Sequence, residues 1–223
     1  MTTEEPDEQP DAQPISPDDD MEGGELFPGP TRHLYIVRHG QYIHGGPPDY
    51  DGPLTELGQR QAAFVAARLA SLPISVIHCS TLQRARETAA IIAQRFPGVE
   101  TVHSPLLCEC VASVPPLVED YLEQHIPAHE LIEGPIQARA AWETYFQPPD
   151  PDVTEDVSEI IVSSGNLIGY LVGQALGAPA DAWIRCDIQH CGLTEITIKR
   201  TRGTLLLRHN DIGHLPPEMR TFV

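Results

Sequence analysis

The sequence predicts an α/β protein, specifically a three-layer α/β/α domain with a mostly parallel central sheet. After Pro30, short apolar runs typical of buried strands alternate with longer segments whose apolar residues recur at helical spacing. Repeated strand–helix units place their strands parallel, with helices on both faces of the sheet. The chain has 223 residues, enough for one such domain with additional segments.

Local signals place the elements of the first half. Thr55 can cap a helix that continues to about Leu72, and Pro73 ends it because proline cannot continue a helix. In this helix Ala62 and Val65 share an apolar face with later residues. The other predicted elements are a strand at 33–38, a strand at 74–79, a helix at 82–96 and a strand at 99–103.

The second half contains an insert and the rest of the sheet. Residues 105–158 are rich in Pro, Glu and His, and they predict a helical insert that selects the substrate. It should hold two or three helices, one at about 136–146. The elements predicted after it are a strand at 159–163, a helix at 166–177 and paired strands at 193–199 and 203–209.

Residues 1–29 differ from the rest of the chain. They contain ten acidic residues, five prolines and no Lys or Arg. Such a segment buries too little apolar surface to offset its ordering entropy, so we expect a disordered acidic tail before a folded domain at 30–223. The tail either solvates the chain or docks a basic partner.

Charge and targeting signals limit the partners and the compartment. The net charge of −18 disfavours nucleic acid as a partner. Residues 1–29 lack the basic start and apolar stretch of a signal or transit peptide, and no later run approaches the ~20 apolar residues of a membrane span. These features predict a cytoplasmic protein without a membrane partner.

The chain has five cysteines, an odd number that favours reduced thiols. Several lie near one another or near a histidine, but their spacing fits no common zinc pattern, so no metal is predicted. The residues of this rejected metal site are Cys108, Cys110, Cys186, His190 and Cys191.

The tripeptide Arg38-His39-Gly40 ends the first strand. The Arg38 guanidinium is a planar fork of donors that matches phosphate oxygens, and a neutral His39 imidazole can accept a phosphoryl group. Gly40 permits a tight turn. Open α/β sheets bind ligands at the carboxyl ends of their strands, so this position predicts an anion site.

Two further residues are placed for the same anion. Arg84 lies in the first turn of the second helix, where free N–H groups attract negative charge. Glu109 follows the third strand, and a carboxyl group there can protonate a leaving group. Without this context each would be an ordinary surface residue, as we expect for Arg86.

Three separate segments resemble the histidine phosphatase (phosphoglycerate mutase-like) superfamily. They are 38–40, 54–62 (LTELGQRQA) and 80–89 (STLQRARETA), and they occur in the family's order and spacing. The chain is most similar to the mitochondrial Ser/Thr protein phosphatase branch, through 38–42, 165–185 and 211–217. Mutases usually have Ser-x-Trp-Asn soon after the RHG motif, whereas this chain has 42–45 (YIHG).

The resemblance implies a role for each matched residue. His39 corresponds to the nucleophile that becomes phosphohistidine, and Glu109 to the proton donor for the leaving alkoxide. Arg38, Arg84 and Asn166 correspond to phosphate-binding residues. The implied substrate is a phosphoprotein or a small phosphomonoester, and the resemblance also implies a homodimer. It implies no cofactor or metal.

One position departs from the family pattern. Ser164 stands where the resemblance places a second catalytic histidine. A serine hydroxyl is shorter and uncharged, and removing one preorganised donor typically costs about 100- to 1000-fold in rate. The departure reflects either an engineered substitution or natural drift toward a weak phosphatase; His44 and His214 are candidates for compensation.

Three functions therefore remain open from sequence. The first is a phosphatase acting on phospho-Ser/Thr proteins through His39. The second is a catalytically weak phosphate-binding pseudo-phosphatase or scaffold. The third is a structural α/β domain whose acidic tail docks a basic partner.

Overall fold

A computed structural model describes residues 26–45 and 51–222. The strands are β1 (Thr31–Arg38), β2 (Ile74–Ser80), β3 (Glu100–Ser104), β4 (Val157–Ser163), β5 (Leu193–Lys199) and β6 (Gly203–Asp211). The helices are α1 (Glu56–Leu69), α2 (Gln83–Ala93), α3 (Glu119–His125), α4 (Ala128–Tyr145) and α5 (Gly165–Ala175). Short 3-10 turns lie at Pro105–Leu107, Ala180–Arg185 and Pro217–Met219.

The six strands form one mixed sheet in the order β3-β2-β4-β1-β5-β6. The first four strands in this order are mutually parallel, whereas β5 is antiparallel to both β1 and β6. Val37 pairs with Val162 on one side and with Leu193 on the other. The end of β1 therefore lies beside the end of β4 and the beginning of β5.

Helices cover both faces of the sheet. Residues of α1 and α2 form one apolar core with alternate residues of β1 and β4, while α4 and α5 form a second core on the opposite face. Leu34 and Ile36 point into the second core, and Tyr35 and Val37 into the first, because successive strand residues alternate between faces. This arrangement confirms the predicted α/β class.

Most predicted elements match within a few residues, but the helix expected at about 136–146 is longer. It begins at Ala128 and contains Pro135 in its interior. Proline there removes one intrahelical hydrogen bond, which is why the sequence favours a later start. Gly134 allows close packing, since an added Cβ would lie 2.4 Å from the Val111 carbonyl oxygen.

Residues 1–25 of the predicted acidic tail lie outside the described residues. Residues 26–29, the last of the predicted tail, are described, and Phe27 contacts the end of β5 and the turn after it. The Lys199 ammonium donates a hydrogen bond to the Phe27 carbonyl at 2.9 Å, and the Arg202 guanidinium lies 4.9 Å from the centre of the Phe27 ring. Residues 105–158 contain α3 and α4.

Three further features concern cofactors and membranes. All five cysteines lie in described segments and are free thiols. Across 26–45 and 51–222, no group of three His, Cys, Asp or Glu side chains is arranged to hold a metal ion. None of the helices in the described part of the chain is long and apolar enough to cross a bilayer.

Candidate active site

The carboxyl ends of β1, β2 and β4 meet at one edge of the sheet and bring several predicted site residues together. Arg38 and His39 end β1, and the His39 N–H donates to the Ser163 carbonyl at 3.0 Å. Ser164 follows β4 and immediately precedes α5. Arg84 begins the helix after β2, so that three chain segments converge on one point.

The His39 imidazole is buried and held in one tautomer. Its Nε2 accepts a hydrogen bond from the Arg84 Nε–H at 3.0 Å, so its proton lies on Nδ1, which is 2.9 Å from the Gly40 carbonyl oxygen. Burial lowers the pKa of His39 well below its usual value, and the charges of Arg84 and Arg38 lower it further. The unprotonated Nε2 is therefore maintained at neutral pH.

Arg84 is also buried, and its orientation is fixed by three neighbours. Besides its contact with His39, its Nη1 donates to the Asp51 carboxylate at 3.0 Å, and its guanidinium carbon lies 4.5 Å from the centre of the Tyr42 ring. A hydrogen bond of 3.0 Å from the Gly40 N–H to Thr88 Oγ1 connects the loop after the histidine to the same helix.

Arg38 contacts the segment before β5 and lies close to the N-terminus of α5. Its Nη1 donates to the Ile188 carbonyl oxygen. An added Cβ at Gly165 would lie 3.5 Å from Arg38 Nε, which shows how closely this guanidinium approaches the N-terminus of α5. A helix N-terminus carries partial positive charge, so the guanidinium and the helix present donors to the same space.

Glu109 is close enough to both arginines to interact with their charges. Its carboxylate accepts a hydrogen bond of 3.2 Å from the Asn166 N–H in the first turn of α5. Burial raises the pKa of Glu109, and the charges of Arg38 and Arg84 offset only part of this effect. The raised pKa keeps its carboxyl group protonated closer to neutral pH than an exposed glutamate.

The distinguishing feature of the site is a set of unused polar groups. Among the described residues, Arg38 Nε, Ser164 Oγ and His190 Nε2 are buried and have no hydrogen-bond partner. Leaving a buried donor unpaired is costly, and such groups cluster at ligand sites. An anion with several oxygen atoms bound beside His39 would supply partners for such donors.

Of these groups, Arg38 lines an open cavity of about 230 Å³. Its lining includes the C-terminal end of β1, the N-terminal end of α5 and the segment before β5. The lining residues are Arg38, Tyr42, Glu109, Gly165, Asn166, Cys186, Asp187 and Ile188.

Sequence reasoning placed Arg38, His39, Arg84, Glu109 and the 164–166 segment, but it missed other members of the site. Tyr42 and Asp51 hold Arg84, and His190 has its ring centre 5.7 Å from that of His39. The sequence signal that could have located His190 was the predicted final strand pair. A strand that runs antiparallel beside β1 must begin near the RHG motif.

The two histidines considered for compensation occupy different places. His44 is exposed and its ring packs on Tyr42, with 3.9 Å between the ring centres. His214 Nε2 lies 3.0 Å from the Cys191 carbonyl oxygen, so it braces the segment before β5.

Comparison with known proteins agrees with this arrangement. A family model described as the histidine phosphatase superfamily (branch 1) matches residues 34–115. Over 193 residues the chain is 33% identical to the serine/threonine-protein phosphatase PGAM5, mitochondrial, of Xenopus tropicalis, covering 86% of this chain and 68% of that protein. The chain belongs to the histidine phosphatase superfamily.

Other relatives of this histidine phosphatase agree. The corresponding protein of Drosophila yakuba is 34% identical over 196 residues, covering 86% of this chain and 67% of the relative. A crystal structure of phosphoglycerate mutase from Plasmodium falciparum is 27% identical, has a TM-score of 0.57, and covers 87% of this chain and 99% of its own. The predicted family and phosphoglycerate mutase-like fold are confirmed.

The comparisons also correct one prediction. The expectation of a cytoplasmic protein is wrong, because the relatives from Xenopus and Drosophila are mitochondrial phosphatases. That expectation relied on the composition of residues 1–29, which contains no transit-peptide signal. Composition near one end of a chain is weak evidence for location when the folded domain has relatives in another compartment.

Proposed function

We propose that this histidine phosphatase hydrolyses phosphomonoesters, with phosphoserine and phosphothreonine in proteins as its substrates, through a phosphohistidine on His39. The proposal rests mainly on the unprotonated Nε2 of His39, which lies near buried polar groups that have no hydrogen-bond partner among the described residues. The similarity to serine/threonine-protein phosphatases supports the substrate class.

In the first step the substrate phosphoryl group binds between the arginines, and Arg84 Nε–H transfers its hydrogen bond from His39 to a phosphoryl oxygen. The freed Nε2 attacks phosphorus, and the bond from phosphorus to the serine or threonine oxygen breaks. Glu109 gives its proton to that oxygen, so the leaving group departs as a neutral alcohol.

In the second step Glu109, now a carboxylate, removes a proton from water while the water oxygen attacks phosphorus. The bond between phosphorus and Nε2 breaks, which restores neutral His39 and releases inorganic phosphate. Arg38, Arg84 and the Asn166 segment neutralise the charge on the phosphoryl oxygens in both steps.

The negative charge of the chain favours basic protein substrates. The chain carries a net charge of −18, and the exposed Asp187 lies at the edge of the cavity. This field repels acidic peptides and attracts basic ones. Phosphosites flanked by Lys or Arg are therefore the proposed substrates.

Glu109→Gln tests this function through its leaving-group dependence. An alkoxide leaving group needs a proton, whereas nitrophenolate does not. We expect kcat/KM to fall about 100- to 1000-fold on a phosphoserine peptide with basic flanks, and less than about tenfold on p-nitrophenyl phosphate. Steady-state phosphate release from both substrates provides the measurement.

Exposed Glu56 on α1 provides a matched control, because Glu56→Gln removes a carboxylate outside the site and should leave both rates within about twofold. Equal losses on both substrates in Glu109→Gln would exclude the proton-donor role. Failure of the wild-type protein to hydrolyse any phosphomonoester would contradict the proposed function itself.

Ser164 favours a second candidate, a phosphate-binding pseudo-phosphatase that turns over slowly. Its hydroxyl is buried and, within the part of the chain that the structure describes, unpartnered. Tight binding of the phosphoserine peptide without phosphate release would support this candidate over the first.

A further inference from the structure

His190 is a second imidazole beside the nucleophile His39, and the sheet fixes its position. The neighbouring Cys191 N–H donates to the Arg38 carbonyl at 3.1 Å, which ties the segment before β5 to the end of β1. The His190 ring is fully buried, with its centre 5.7 Å from that of His39. At this separation a phosphoryl group whose phosphorus lies at His39 Nε2 can place one oxygen within hydrogen-bonding distance of His190, about 2.7–3.2 Å.

A chain of hydrogen bonds connects Gln61 and Thr221 to the Nδ1 side of the His190 ring. The Gln41 N–H donates to Gln61 Oε1 at 2.9 Å, which orients the Gln61 amide. The amide Nε2 then donates to Thr221 Oγ1 at 2.8 Å. Thr221 Oγ1 lies 2.9 Å from His190 Nδ1.

We take the Thr221 hydroxyl, whose oxygen accepts from Gln61, to donate its own hydrogen to His190 Nδ1. Nδ1 is then the acceptor, and the imidazole proton lies on Nε2. Across the described segments of the chain, Nε2 has no partner. Burial and the charge of Arg38 lower the pKa of His190 to about 3, so the ring stays neutral.

We propose that His190 is a catalytic residue, whose Nε2–H donates a hydrogen bond to the phosphoryl group during its transfer to and from His39. The inference rests on the proposed phosphatase function and assigns to a residue before β5 the donor that Ser164 is too short to supply. A neutral donor in a buried site strengthens as negative charge develops on the phosphoryl oxygens.

The role differs from that of Glu109. Glu109 acts on the leaving group, whereas His190 acts on the phosphoryl group that every substrate shares. Loss of His190 should therefore lower turnover on phosphoserine peptides and on p-nitrophenyl phosphate alike. It should also weaken the binding of a transition-state analogue more than the binding of the product, inorganic phosphate.

The test measures steady-state kinetics and inhibition constants for His190→Ala and His190→Gln and compares them with the wild-type protein. We expect His190→Ala to lower kcat/KM on p-nitrophenyl phosphate about 100- to 1000-fold. The inhibition constant of vanadate, which adopts the five-coordinate geometry, should rise by a similar factor, and that of inorganic phosphate less than about tenfold. His190→Gln keeps an N–H donor and should recover at least about tenfold of the lost rate.

His214→Ala is the matched control, because His214 braces the same segment through the Cys191 carbonyl. If His190 only supported this segment, the two alanine variants would lose similar activity. The binding of vanadate and the binding of phosphate would then weaken equally in His190→Ala. Either result, or a loss below threefold in a folded His190→Ala, would overturn the inference. An inactive wild-type protein would instead refute the proposed function.

Discussion

Replacing His39 with alanine should lower kcat on p-nitrophenyl phosphate by about five orders of magnitude, the scale seen when a nucleophile is removed. Its Nε2 is the only atom that we assign to attack phosphorus, and the nearby Ser164 hydroxyl has no base positioned to activate it among the described residues. Phosphate release at saturating substrate measures the loss.

Binding separates this chemical role from a structural one. Arg38, Arg84 and the N-terminus of α5 remain in His39→Ala, so inorganic phosphate should bind within about tenfold of the wild-type affinity. Titration calorimetry provides the measurement. Turnover within tenfold of the wild-type value would contradict the assignment, and a parallel loss of phosphate binding would indicate a collapsed pocket.

The second large effect is expected for Arg84→Ala. This change removes a buried guanidinium that contacts His39 and is held by Asp51 and Tyr42. An arginine that stabilises a transferring phosphoryl group contributes about 10³-fold or more to the rate, so kcat/KM should fall at least that far. Arg84→Lys should restore little, because an ammonium lacks the planar fork of donors.

Arg86 provides the control on the same helix. It is exposed, two residues beyond Arg84, and therefore points away from the pocket. Arg86→Ala should keep kcat/KM on p-nitrophenyl phosphate within about threefold. Comparable losses in the two variants would show that the general positive charge of α2, rather than Arg84 itself, supports turnover.

Much of this fold followed from local patterns. The apolar run before Arg38 predicted a buried strand, and the strand–helix alternation predicted parallel strands, as the pairing of Val37 with Val162 shows for β1 and β4. Arg84 was also predictable, because it opens the helix after β2, another strand of the parallel part of the sheet. Parallel strands bring residues at their carboxyl ends to one edge, whatever lies between them in sequence.

Other features depend on contacts between distant segments, which no local pattern contains. His190 lies beside His39 only because β5 runs antiparallel to β1. Asp51 faces Arg84 through a loop with no periodicity. Pro135 lies inside α4, although proline normally marks a helix boundary, so tertiary packing determines where that helix begins.

The most direct test of the central claim is to quench the reaction during turnover and locate the bound phosphate. With a ³²P-labelled phosphoserine peptide, we expect acid-labile, base-stable label on the peptide that contains His39, and none on His39→Ala. Label that is stable to acid, or that lies on a residue such as Ser164, would contradict the account. So would phosphate release by His39→Ala at the wild-type rate.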